Sequence, residues 1–284
     1  MLITFGLTWG VELAMIFGWH VSFVRTPPMQ AQLIVAAVMF APALAAFITA
    51  RFITREGFAK TGLRFGPFRA YVQVYFLIPA IFIAAYALTW LLGLGRPDWA
   101  LRDFMKLVGS GFPAGSAPAA STMLLVIALG SITFAPLVNS LVAFGEEFGW
   151  RGYLLPKLLP LGKWRAMVIS GVIWGLWHAP IVAVGFNYPG YPILGVLLMT
   201  LLATFMGVYL AYLRIEFDST ALASFGHGVF NSQGYGIWRI LFPAVNPVIG
   251  GFTGVVGLLV QFAVAAWTYR KIRPAALQSK TIGK

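Results

Sequence analysis

Long apolar stretches, separated by short polar or basic runs, make up most of the 284 residues. A helix crossing a hydrocarbon core of roughly 30 Å needs about 20 mostly apolar residues. Eight stretches meet that length, at about residues 2–24, 30–50, 70–94, 121–145, 166–186, 192–213, 219–238 and 247–269. The fourth is expected to continue as helix through Glu146–Arg151 until Pro156 stops or kinks it. Pro180, Pro189 and Pro192 punctuate the later stretches. The first apolar run has no basic stretch before it and is long enough to span, so it reads as a span and not a cleavable leader. The expected fold is therefore all-α: a single polytopic membrane domain over residues 1–284, with about eight transmembrane helices.

Composition agrees with this picture. Apolar residues are 60% of the chain and charged residues 10%, whereas a soluble domain carries roughly a quarter charged residues to wet its surface. The net charge of +12 does not point to nucleic acid, because the basic residues lie between apolar stretches and not on one folded face. They act instead as topological markers. Arg51, Arg55, Lys60, Arg64, Arg69, Arg151, Lys157, Lys163, Arg165, Arg214 and the basic tail from Arg270 fall on one side of an eight-span arrangement. Arg25, Arg96, Arg102, Lys106 and Arg239 fall on the other. By the positive-inside rule both termini are expected in the cytoplasm. Cysteine is absent, which excludes disulfides, thiol nucleophiles and thiolate zinc sites.

Ionisable groups inside spans are costly unless paired or facing a polar cavity. The densest cluster is Gly145-Glu146-Glu147-Phe148-Gly149-Trp150-Arg151. Glu147 and Arg151, at i and i+4, share a helix face and can pair. Glu146 is turned about 100° away and is free to project into a cavity. His178 follows Trp174 and Trp177, and His227 and Asn231 stand at i and i+4 on a third helix. Counted from Lys157, Arg165 and Asp218, the three groups Glu146, His178 and His227 lie roughly 14–20 Å deep at 1.5 Å per residue. They therefore fall in one layer of the bilayer. Asn139 and Glu12 are further lining candidates, and His20 is placed at an interface. Trp150, Trp174 and Trp177 can line the cavity, with helix packing as their default role.

A carboxylate, two imidazoles and an amide can hydrolyse a peptide bond through activated water. Glu146 would take the water's proton with help from His178, either directly or through a shared metal ion such as zinc held by Glu146, His178 and His227. His227 and Asn231 would donate to the carbonyl oxygen as it gains charge. The zinc motif His-Glu-x-x-His is absent. Asp98, Asp103 and Asp218 all fall in loops, and no Gly-x-Ser-Gly lies in a span. A non-catalytic immunity or scaffold protein, and a proton-coupled carrier titrating Glu146, are the alternative readings.

The three motifs in this order, Glu-Glu-x-x-x-Arg at 146–151, Trp-x-x-x-His at 174–178 and His-x-x-x-Asn at 227–231, resemble the CPBP family. That family comprises the CAAX prenyl endopeptidases of the Rce1 type and their bacterial abortive-infection-like relatives. The resemblance covers about residues 140–235. Trp174 stands where the family usually has Phe. The resemblance implies an eight-helix intramembrane endopeptidase around a cytoplasm-facing polar cavity, in which Glu146 and His178 activate water, His227 and Asn231 form the oxyanion hole, and Glu147 and Arg151 support them. The implied partner is a peptide or a lipidated, prenylated protein C-terminus at the bilayer, in the eukaryotic members a CAAX tail losing its last three residues.

Overall fold

The computed structural model describes residues 1–24, 27–109, 111–113 and 116–272. Arg25 and the tail residues Arg273, Lys280 and Lys284, counted above as topological markers, lie outside the described residues. Among the described residues there is no strand; the chain is a set of helices. In order they are α1 Leu2–Gly18, α2 Met29–Ile53, α3 Phe68–Leu91, α4 Arg102–Gly109, α5 Ala120–Ile132, α6 Phe134–Leu161, α7 Lys163–Trp177, α8 Ala179–Ala183, α9 Pro192–Phe217, α10 Thr220–Gly234, α11 Ile237–Leu241 and α12 Val255–Ile272.

Four of these, α2, α3, α9 and α12, are long and apolar enough to cross a membrane. The pair α5 and α6 makes a fifth if taken as one span, bent by 43°. The chain is thus a multi-pass membrane protein with four or five span candidates, and the expected eight are not all met by length and composition. Leu2–Gly18 is apolar but shorter. The helix that His178 ends, Lys163–Trp177, and the helix bearing His227, Thr220–Gly234, have only 15 residues each, about 22 Å at 1.5 Å per residue.

Two boundaries differ from expectation, both for backbone reasons. The fourth stretch is not one straight helix. Pro136 cannot donate to the Ile132 carbonyl and its ring crowds that turn, so the chain breaks at Thr133 (φ −107°, ψ −77°). Pro156, expected to stop or kink the helix, does not end it. A π-helical stretch at Phe148–Leu154 precedes it, and Pro156 then sits in the first turn of a short α segment where no N–H is missed. The helix ends instead at Gly162, whose φ of +96° L side chains rarely adopt.

α9 is the central post, with 61% of its most apolar window buried against 22% for α2. Small residues let its neighbours close on it. A Cβ added at Gly171 or Gly175 of α7 would stand 2.7 Å and 2.5 Å from the Cα atoms of Thr204 and Thr200 on α9. That close approach is what small residues four apart permit between membrane helices. α10 is fixed to α6 in the same way: Ser224 Oγ donates to the Ser140 carbonyl at 2.6 Å, and Gly228 lies directly against Ser140 and Pro136. Large apolar side chains such as Phe76, Leu141, Ile193 and Leu259 remain exposed on the outside, as a lipid-facing surface requires.

Candidate active site

α9 ends at Asp218 in a left-handed conformation (φ 48°), and Ser219 caps α10 by accepting the Leu222 N–H at 2.9 Å. That tight corner, with the Ser224 and Gly228 contacts one turn on either side, aims His227 at α6. There His227 Nδ1 lies 2.9 Å from Glu147 Oε1. The same oxygen accepts from Arg151 Nη1 at 2.9 Å, and Glu147 and Arg151 are both fully buried. The i, i+4 pair read from the sequence is present, and its carboxylate also holds a histidine 80 residues away.

The rest of the site is organised by Trp174. Its indole Nε1 donates to Glu146 Oε2 at 2.5 Å. Its ring lies 4.3 Å under the Arg151 guanidinium, with the His227 ring edge-on at 5.2 Å and the His178 ring at 5.8 Å. A cation over an indole face gains about 0.5–2 kcal/mol. Glu146, His178 and His227, expected in one layer, therefore gather round one side chain. Sequence reasoning gave Trp174 a lining or packing role and missed that its N–H fixes the carboxylate.

Partners also set which nitrogen carries hydrogen. His178 Nδ1 lies 2.9 Å from the Trp174 carbonyl, an oxygen that can only accept. Nδ1 is thus the protonated nitrogen and the Nε2 lone pair is left bare. Similarly His227 Nδ1 gives its hydrogen to Glu147, so Nε2 donates only when the ring is an imidazolium. Asn231 shares the His227 face and is half-buried; among the described residues its side chain makes no hydrogen bond that would tie it down.

The remaining candidates divide. Glu12 is 3% exposed, with Oε2 unpartnered, and its charge couples to that of Glu146. Helix α1 is docked beside it by Trp177 Nε1 donating to Thr8 Oγ1 at 2.8 Å and Trp9 Nε1 donating to the Trp177 carbonyl at 3.0 Å. Asn139 turns its amide to the Ala135 carbonyl of its own helix at 2.9 Å. His20 is exposed beyond the end of α1. Trp150, Trp174 and Trp177 are all buried, and Trp150 meets Trp177 edge-on at 6.0 Å.

A cavity of about 240 Å³ lies on the other side of Trp150, lined by Thr4, Thr49, Tyr153 and Lys157 among others. None of Glu146, His178, His227 and Asn231 lines it. At its rim Glu56 accepts from Lys157 at 2.6 Å and from Tyr153 at 2.7 Å. Those hydrogen bonds, Lys157 first, hold its carboxyl down at about 2.

Among the described residues no three His, Cys, Asp or Glu side chains converge as a metal set. One Glu146 oxygen is already occupied by an indole N–H. The residues as placed do not fit the three-ligand set Glu146, His178 and His227, and no step below runs through a metal.

Residues 120–233 match the family described as type II CAAX prenyl endopeptidase Rce1-like. This part of the chain is similar to that family. The matched stretch contains every motif residue from Glu146 to Asn231. A stretch of 61 residues is also 36% identical to CAAX prenyl protease 2 of Methanococcus maripaludis, covering 20% of this chain and 22% of that protein. The match thus spans about a fifth of that relative's length.

Proposed function

We propose that the chain is an intramembrane endopeptidase that hydrolyses a peptide bond with water activated by Glu146 and His178. The observation that carries this reading is the convergence on Trp174 of Glu146, His178 and His227, drawn from three helices. Buried ionisable groups gathered within a membrane protein point to function more than to stability. The Rce1-like match over residues 120–233 points the same way.

The chemistry follows from the atoms available. Glu146 removes a proton from water while the bare Nε2 of His178 accepts the water's other hydrogen. The hydroxide adds to the scissile carbonyl carbon. The oxygen that becomes negative is met by Nε2–H of an imidazolium His227 and by the Asn231 amide. Glu147 holds that imidazolium through Nδ1, and Arg151 keeps Glu147 oriented. As the C–N bond breaks, the proton held by Glu146 passes to the leaving nitrogen. The products are a carboxylate and an amine, with one water consumed.

The substrate proposed is the prenylated C-terminus of a membrane-bound protein, by likeness to the CAAX prenyl protease 2 matched above. Its lipid would stay in the bilayer while the peptide reaches the site from the cytosol. Eight crossings, cytoplasmic termini, one domain over residues 1–284 and a cavity opening to the cytosol belong to the same proposal, supported by the basic-residue asymmetry.

The test is cleavage by the purified protein in detergent of prenylated and unprenylated CAAX peptides, with products identified by mass. Release of a C-terminal tripeptide by wild type, and its loss in Glu146→Gln, His178→Ala and His227→Ala, is expected. Undiminished cleavage in all three variants overturns the mechanism.

A further inference from the structure

One polar side chain on the helix face of His227 and Asn231 has no place in that mechanism. Tyr235 follows Asn231 by one turn and His227 by two. The helical register is unbroken, because the Tyr235 backbone N–H donates to the Asn231 carbonyl at 3.0 Å and Tyr235 keeps helical angles (φ −97°, ψ −4°). His227, Asn231 and Tyr235 thus form a single stripe. Helical side chains lean toward the preceding turn, which is the turn that carries Asn231. The tyrosine hydroxyl lies within electrostatic reach of Glu146 and of Arg239. The side chain is 47% exposed although its helix is otherwise largely buried, as expected of a group facing open space.

The hydroxyl is also oriented. Asn187 Nδ2 donates to the Tyr235 oxygen at 3.2 Å, from a left-handed backbone (φ 62°) that asparagine tolerates. Phe186 beside it packs on the Tyr235 ring at 6.1 Å. An oxygen that accepts from Asn187 keeps its own hydrogen free to point elsewhere.

We infer that Tyr235 is a further catalytic residue, donating its O–H to the substrate carbonyl oxygen beside Asn231 and His227, with Asn187 as its positioning residue. The inference rests on the hydrolytic reading above. No proton is transferred; the O–H bond is kept and the hydrogen bond strengthens as the carbonyl oxygen becomes anionic.

The experiment measures kcat and KM on a prenylated CAAX peptide for wild type, Tyr235→Phe, Asn187→Asp and the double variant, each checked for folding by its melting temperature in detergent. Tyr235→Phe keeps the ring packing and is expected to lose about tenfold to a hundredfold in kcat with KM nearly unchanged, toward the low end for an oxyanion donor. Asn187→Asp keeps the left-handed turn but cannot donate. Its carboxylate takes the tyrosine hydrogen, and a comparable kcat loss is expected although the hydroxyl is still there. In the Tyr235→Phe background the Asp change should cost little more. A wild-type kcat in Tyr235→Phe with wild type cleaving removes this inference alone. An Asn187→Asp penalty that persists in full in the Phe background removes the positioning role, leaving charge as its cause. Absence of cleavage by wild type removes the hydrolytic reading and this inference with it.

Discussion

Two glutamates with the same kinds of partner sit in opposite environments. Glu147 holds Arg151 and His227 with all three nearly inaccessible to solvent, while Glu56 holds Lys157 and Tyr153 at an exposed rim. The distances are similar, 2.9 Å against 2.6–2.7 Å. What differs is the consequence of losing a partner. Water and ions can replace Lys157 at the rim, so the exposed pair contributes little. Nothing replaces Arg151 at the centre, where Glu147 Oε2 and Arg151 Nε and Nη2 already lack partners. The buried set therefore contributes geometry more than stability: it fixes one imidazole and, through Trp174, one carboxylate.

The expected effects rank accordingly. The largest falls on chemistry: Glu146→Gln keeps the Trp174 hydrogen bond to its carbonyl oxygen yet cannot take a proton. A fall in kcat of about 10²–10⁴-fold is expected, the scale of general base catalysis, in steady-state cleavage. Next comes Arg151→Met, which leaves the buried Glu147 carboxyl with only His227 beside it. A loss of about 3–5 kcal/mol is expected in detergent unfolding, with activity lost as well. Gly171→Ala follows, since its Cβ would press on Thr204 Cα at 2.7 Å. Forcing α7 from α9 should cost about 1–3 kcal/mol and lower kcat by shifting Trp174. Glu56→Gln is the smallest and should leave kcat unchanged. The Glu56 carboxyl is held below its ordinary value, at about 2, so its rim contribution is present above about pH 4.5 and is lost only as pH falls through about 2. The stability difference between wild type and Glu56→Gln should therefore be flat from about pH 5 to 8.

Pattern alone reached the all-helical class and the Glu147–Arg151 pair, because each depends on spacing within one helix. It missed what depends on another helix. Glu147 selects His227 because Gly228 and Ser224 bring α10 against α6, a closeness no periodicity reports. Trp174 looks like packing until the carboxylate beside it is seen. Pro136 was in plain view, yet a continuous apolar run from 121 to 145 hid the turn it breaks. Pro156 misled in the other direction, because the wide turn before it had already left its position without need of an N–H. Tyr235 was invisible as a site residue because its partner Asn187 lies in a loop, where spacing carries no geometry.

The most direct test of the central claim compares Glu146→Gln with Glu147→Gln, adjacent residues of identical chemistry, by cleavage rate and melting temperature together. Glu146→Gln is expected to melt like wild type and cleave about 10²–10⁴-fold more slowly, while Glu147→Gln loses both stability and activity. A Glu146→Gln protein that melts and cleaves like wild type would contradict the account.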